Sequence, residues 1–257
     1  MKVTPVKTHK ITQKDKDILQ ILERYLPAGR QGIKNLSDKS VIAVTSKIVS
    51  ICEGRMVKIG SRTKDELVEE EAQLYLPRHM SKYDFCISIK HNIFTASAGI
   101  DESNGNGSYI LWPRDPQKSA DRIRIWLKGR FNLENVGAII TDSKTTPLRW
   151  GVTGVAIAHS GFEALNSYIG KPDIFGRKLQ AEKLNVADSL ASSAVGVMGE
   201  GDEQTPIAVI EDVPFVNFQS RNPTQKELED LKISIEDDLY APLIKGVAWK
   251  RGIIEKD

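Results

Sequence analysis

A chain of 257 residues, 40% hydrophobic and 27% charged, can bury a substantial core and has the composition of an ordinary globular domain. Its 36 basic and 34 acidic residues leave a net charge of +2, which argues against a broad nucleic-acid or membrane surface but permits a local phosphate pocket. Cys52 and Cys86 lack a CxxC partner, the N-terminus lacks a signal-peptide core, and no segment approaches the ~20 apolar residues of a membrane span, so a reducing cytoplasm is the expected compartment.

Taken in order, Val3 to His9 alternates around Pro5 and suits an edge strand or a loop. Thr12 with Asp15 resembles a helix start, and Ile18, Leu19, Ile21, Leu22, Tyr25 and Leu26 supply its apolar stripe. Pro27 and the glycines that follow end it in a turn. Val41 to Thr45 is a continuous apolar run, a strand covered on both faces, and it ends in Thr45-Ser46-Lys47. Thr63 and Glu66 form a capping box for a helix through Leu67, Val68, Leu74 and Tyr75, closed by Pro77. Strands follow at Phe85–Ile89, Ile93–Ala98 and Tyr109–Trp112. Asp115-Pro116 then opens a helix that buries Ala120, Ile123, Leu127 and Phe131.

The stretch from Ala138 to Gly161 organises the rest. It reads as a short strand stopping on Thr141-Asp142-Ser143, a basic turn at Thr145 to Arg149, and the glycine-spaced apolar run Gly151 to Ala158. Leu184, Ala187, Ala191, Ala194 and Met198 then share a stripe of the longest helix, which Gly199 stops before a loop and a strand at Pro206–Ile210. Thr224 with Glu227 opens an acidic tail helix. Strands and helices mix without clean βαβ alternation. The expected fold is therefore mixed α/β of the α+β kind, mixed sheets flanked by helices rather than a doubly wound sheet. Residues 1–257 read as one catalytic unit with a helical extension over 214–257.

Asp101, Asp142 and Glu200 each follow an apolar element in a loop containing Gly, Ser or Thr. Such hard oxygen donors suit Mg²⁺ or Mn²⁺ shared with phosphate oxygens, and the same residues are also ordinary turn formers. Lys47, Arg55 and Arg149 are the cations nearest those strand ends and could clamp phosphate or carboxylate. His9, His79, His91 and His159 have no metal-ligand spacing. No GxxxxGK[ST], no GxGxxG after a strand and no nucleophile elbow is present.

Several segments together resemble one family, the coenzyme F420-0:γ-glutamyl ligases. They are Val44-Thr-Ser-Lys-Ile-Val-Ser50 with Glu53-Gly-Arg55, Ala96-Ser-Ala-Gly-Ile-Asp-Glu-Ser-Asn104, and Thr141-Asp-Ser143 with Pro147 and Arg149. Gly151-Val-Thr-Gly-Val-Ala-Ile157 and Val197-Met-Gly-Glu200 complete the set, in order, over about residues 3–213. The resemblance implies an intertwined homodimer and a GTP-dependent ligase with two Mn²⁺ or Mg²⁺ ions and a stimulating K⁺. Carried over by position, Asp101 and Asp142 would ligate one metal, Ser143 and Glu200 the other. Nucleotide contacts would fall to Thr4, Pro5, Val6, Lys7, Ser46 and Asn104, and to Met198, Gly199, Gly201, Asp202, Glu203, Gln204 and Thr205. Arg149 and Lys47 are the candidates for stabilising charge on the transferring phosphate. Two departures bear on function. Ile51 stands where relatives carry a lysine, and Lys144-Thr-Thr-Pro-Leu148 replaces Phe-Gly-Arg-Pro-Trp, removing an arginine and an aromatic ring.

The leading expectation is a GTP- or ATP-dependent enzyme joining L-glutamate, or a similar amine, to a small carboxylate acceptor, with no nucleic-acid or membrane partner. F420-0 and a folate-type acid are both open as acceptors. A non-catalytic nucleotide-binding regulator is the alternative that Ile51 favours, and a metal-dependent phosphohydrolase lacks an evident water-activating base.

Overall fold

The computed structural model describes residues 1–26 and 36–253; the turn expected from Pro27 lies outside the described residues. Strand β1 (Lys2–Val6) and helix α1 (Ile18–Tyr25) precede β2 (Ser40–Thr45), which runs directly into α2 (Ser46–Cys52). Then come β3 (Met56–Lys58), α3 (Lys64–Glu71), β4 (Leu74–Leu76), β5 (Ile87–Lys90), β6 (Ile93–Ala96) and β7 (Ser108–Ile110). The long helix α4 (Pro116–Phe131) leads to the hairpin β8 (Val136–Thr145) and β9 (Val152–Ser160). After β10 (Leu165–Ser167) and β11 (Lys183–Asn185), α5 (Val186–Met198) is followed by β12 (Ile207–Glu211). The tail holds α6 (Gln225–Asp230), α7 (Ala241–Ile244) and β13 (Lys250–Arg251).

A five-stranded sheet in the order β1-β12-β2-β8-β9 carries the core. Only β2 and β8 are parallel; the other neighbours are antiparallel. Both faces of β2 are covered, which is why it reads as an unbroken apolar run. Ile42 and Val44 pack with Ile21, Leu22, Ile123 and Leu127 of α1 and α4, while Val41 and Ala43 meet Leu190, Ala191 and Ala194 of α5. The small residues of α5 let it lie close to β9: a Cβ at Gly154 would overlap the Ala191 carbonyl. A second sheet, β13-β4-β5-β6, is covered by Leu67 and Val68 of α3 together with Cys86, Ala98 and Leu111.

Pro5 sits in β1, an edge strand, as the sequence predicts. The mixed α/β class is likewise borne out. Four local expectations are corrected. Helix α1 begins at Ile18, capped by Asp17, whose carboxylate accepts from Leu19 N at 3.0 Å; Asp15 is instead engaged by Thr12 N and His9, each at 2.8 Å. Helix α3 ends at Glu71 because its apolar stripe is spent, so Leu74 and Tyr75 pair in β4 with Ile89 and Ser88. Strand β8 does not stop at Thr141. It continues to Thr145 past a bulge in β9, where Ile157 is skipped between the pairs Ile140–Ala158 and Thr141–Ala156, and it pairs Asp142 with Val155 and Ser143 with Gly154. Leu184 lies in β11 opposite Asn166, ahead of α5. In the tail the Thr224–Glu227 capping box forms, but its helix spans only six residues.

His159 lies on β9, 2% exposed and 5.3 Å from the Phe162 ring, with no hydrogen-bond partner for Nε2. Burial lowers its pKa from 6.5 to about 4. The neutral ring therefore contributes stability above the unfolded pKa, and that contribution is lost as pH falls toward the folded one. A depression of that size corresponds to about 3 kcal/mol. In urea titrations from pH 7 to 4, His159→Leu should gain on wild type by up to about that amount as pH falls; parallel pH profiles would refute the assignment.

Candidate functional site

The parallel ladder of β2 and β8 ends at the pair Thr45–Thr141, and a cleft of about 610 Å³ opens there. Its walls are residues 8–11, the first turns of α2, residues 95–104, the end of β8 and the loop from Met198 to Pro206. Five segments far apart in sequence thus converge on one space. They include Lys47, Asp101, Asn104, Asp142, Ser143 and Glu200.

Lys47 leaves the first turn of α2, with Nζ 2.5 Å from Asp101 Oδ2 and donating to Ser103 Oγ at 3.0 Å. The other Asp101 oxygen accepts from Ser103 N and Oγ, both at 2.8 Å. Burial pushes the Asp101 pKa upward, but the Lys47 ammonium and the Ser103 donors outweigh it and hold the group below the ordinary value. Asp142 differs. Burial, with the charge of Asp101 adding to it, raises its pKa to about 6 despite the opposing Ser143 N–H and the Trp112 indole, whose Nε1 donates to Oδ2. Two carboxyls of one cleft are thereby separated in acidity, one held ionised by a cation and the other kept close to neutral pH by its surroundings.

Ser143 Oγ donates to Glu200 Oε1 at 2.6 Å, tying β8 to the loop after α5. That loop is braced from several sides. Asn104 Nδ2 donates to Gly201 O at 3.3 Å, Gly201 N to Glu203 Oε2 at 2.8 Å, Thr205 Oγ1 to Met198 O at 2.5 Å and Thr8 N to Gln204 O at 2.8 Å. Met198 to Thr205, including Gly199 and Asp202, all reach the cleft.

Not every expected residue does. Thr4, Pro5 and Val6 pair in β1 and Lys7 follows them; the cleft is lined instead by the next residues, Thr8 to Ile11. Ser46 is buried at the start of α2, between Thr45 and Lys47, which line the wall. Arg149 stands on the β8–β9 hairpin tip, its N–H donating to Thr146 O at 3.2 Å, outside the cleft lining. Arg55 is engaged internally, donating to Glu71 Oε1 at 2.6 Å and to Trp112 O at 3.0 Å. Sequence reasoning missed His9, Lys10 and Trp112, none of which belongs to a motif with diagnostic spacing.

The oxygen donors fall into two subsets, Asp101 beside Lys47 and Ser143 beside Glu200, with Asp142 against Trp112. Among the described residues, no three His, Cys, Asp or Glu side chains are gathered as a ready cage for a metal. Carboxylates and a hydroxyl around a cleft are nonetheless the donor chemistry of Mg²⁺ and Mn²⁺, which retain waters and take further oxygens from phosphate.

Residues 5–212 match the family described as F420-0:Gamma-glutamyl ligase. The chain is 34% identical over 215 residues to the coenzyme F420:L-glutamate ligase of Methanothermobacter thermautotrophicus, covering 76% of this chain and 83% of the relative. To the enzymes of the same name from Methanocaldococcus jannaschii and Haloarcula marismortui it is 30% identical over 218 residues and 34% over 202. Those alignments cover 76% and 70% of this chain and 85% and 78% of the relatives. This is a carbon–nitrogen ligase by class, and the chain belongs to the F420-0:γ-glutamyl ligase family. Among the described residues no helix is long and apolar enough to cross a membrane.

If Lys47 is what holds Asp101 ionised, Lys47→Met should raise the Asp101 carboxyl titration measured by ¹³C NMR. It should change urea-derived stability by less than about 1 kcal/mol, because the pair is partly exposed. An unmoved Asp101 titration would overturn that electrostatic account.

Proposed function

We propose that this protein is a nucleotide- and divalent-metal-dependent amide ligase that joins L-glutamate, or a similar amine, to a carboxylate acceptor through an acyl phosphate. The observation that carries this reading is the convergence of Lys47, Asp101, Asp142, Ser143 and Glu200 on one cleft in a member of this family. Relatives are named for adding L-glutamate to coenzyme F420. GTP or ATP would lie along residues 198–205 with Asn104 and Lys47 toward its phosphates. The Lys144–Leu148 stretch supports an acceptor that differs from F420-0.

Asp101 and Asp142 would hold one Mg²⁺ or Mn²⁺, and Ser143 with Glu200 the other; K⁺ is a further expected activator. When bound, such ions offset negative charge on phosphoryl oxygens. An acceptor carboxylate oxygen attacks the γ-phosphorus, breaking its bond to the β-phosphate oxygen and yielding an acyl phosphate and nucleoside diphosphate. The glutamate amine then attacks the acyl carbon, loses a proton and expels inorganic phosphate. Lys47 places an ammonium beside the transferring group and moves little in doing so, since Asp101 and Ser103 already fix it. Asn104 and the braced 198–205 loop orient the nucleotide.

Leu148 and Trp150 on the β8–β9 tip, and Ile174 and Phe175 in the β10–β11 arm, are all about 90% exposed or more. Such apolar surface supports a homodimer, and Arg149 enters the scheme only if its hairpin reaches a second copy. The second reading, a nucleotide-binding regulator, draws on Ile51, which is buried in the cleft wall and leaves Lys10 and Lys47 as the cleft's lysines among the described residues.

Purified protein with GTP or ATP, Mn²⁺ and glutamate should release phosphate only when a carboxylate acceptor is added, with the amide product seen by mass spectrometry. Asp142→Asn and Lys47→Met should each lower turnover by roughly 100-fold or more. Release without acceptor would indicate a hydrolase, and nucleotide binding without release the regulator.

A further inference from the structure

Behind the cleft lies a buried group of charges that the ligase scheme does not use. Lys90, 2% exposed at the end of β5, places Nζ 2.5 Å from Glu71 Oε2, and Arg55 donates to the other Glu71 oxygen at 2.6 Å. Burial alone would raise the Glu71 pKa, but its two cations hold it below the ordinary value, so the carboxylate is charged in the interior. An internal cluster of this kind is costly to assemble, and its retention calls for an explanation beyond stability.

The cluster is built around one side chain. Trp112 is 1% exposed; its backbone carbonyl accepts from Arg55 Nε at 3.0 Å, and Lys90 Nζ stands 5.3 Å from its ring centroid. The His91 ring lies nearly parallel to the indole, 9° off with centroids 6.0 Å apart. The remaining edge lies against the turn at Ser97–Gly99, where Ser97, Ala98 and Gly99 all have positive φ. A Cβ at Gly99 would overlap the indole nitrogen itself, so this left-handed position must remain glycine for the ring to stay where it is. Ser88 holds the turn in place, accepting from Ala98 N at 2.7 Å and donating to Thr95 O at 2.8 Å. The only polar atom of the indole is thus aimed at Asp142.

We propose that Trp112 is the positioning residue for Asp142, its indole fixed by the Arg55–Glu71–Lys90 cluster and by the glycine at position 99. This rests on the reading of Asp142 as an acid of the ligase site. The donor engages one oxygen of a carboxylate that lines the cleft, as an outer hydrogen-bond partner does for a metal-ligating side chain. Lys90, Glu71 and Arg55 do not line the cleft themselves and reach Asp142 chiefly through Trp112, to which the Lys90 charge adds at longer range.

The test uses the full-length protein, uniformly ¹⁵N-labelled. Its four tryptophans give four indole N–H resonances. The Trp112 signal, identified by its loss in Trp112→Phe, should exchange slowly with solvent. It should move more than the other three on adding Mg²⁺ and again in Asp142→Asn. In turnover assays, Trp112→Phe and Gly99→Ala should both lower kcat by roughly 10–100-fold while leaving the KM for nucleotide near wild type. An indole set unchanged by Asp142→Asn overturns the proposal, as does Trp112→Phe with wild-type kcat. Should Trp112→Phe fail to fold, the Asp142→Asn spectrum alone decides, since one indole signal moves or none does. A wild-type protein without turnover would remove the ligase reading and leave the indole result to be judged by itself.

Discussion

Thr45 lies opposite Thr141 in the parallel ladder between β2 and β8, and the placement of the site follows from that register. Parallel neighbours run in the same direction, so the helix that follows β2 and the acid that follows Thr141 on β8 emerge at the same place. Lys47 comes from the first and Asp142 from the second. A register shift of one residue would turn each side chain to the opposite face. The two-sided burial of β2 prevents that slip, because Ile42 and Val44 fit one layer and Val41 and Ala43 the other. Core packing is in this sense what places Lys47 and Asp142 at one edge.

Around that edge the protein separates its acids by environment. Asp101 sits with a lysine and a serine, whereas Asp142 meets the Trp112 indole and the Ser143 N–H, with no cation paired to it among the described residues. Glu200 takes a hydroxyl from Ser143 and thereby joins two segments that the sheet alone would leave apart. Each carboxyl has a distinct partner, and the partners come from different layers of the fold.

Much of this was legible in the residues. The two-sided strand at Val41–Thr45, the Asp115-Pro116 helix start and the capping boxes at Thr63 and Thr224 are local signals, and local physics decides them. Asp101, Asp142 and Glu200 stand out as oxygen donors in the sequence itself, the family resemblance adds Ser143 and the 198–205 loop, and all of them share a cleft. What could not be read locally depended on distant partners. Leu74 and Tyr75 fit a helical stripe as well as a strand until β5 is there to pair with them. The extension of β8 past Thr141 needs β9 and a bulge. Trp112 looked like the last apolar residue of a strand, since nothing in its spacing shows a carboxylate waiting thirty positions later. Arg55 read as a possible phosphate or carboxylate clamp because its two acceptors, Trp112 and Glu71, lie far along the chain.

The order of strands in the central sheet has a consequence for how the molecule is made. β12 lies between β1 and β2, so Thr4 pairs with Val209 and Val209 in turn with Ile42. Strand β1 therefore has no sheet neighbour until residues beyond position 200 have emerged. Pairings across such separations are slow to close and hold apolar surface open while they wait. During synthesis β2 and β8 can meet early, but the loop from Met198 to Thr205, which completes one wall of the cleft, arrives almost together with the strand that closes the sheet. The cleft and the sheet are thus completed in the same late event.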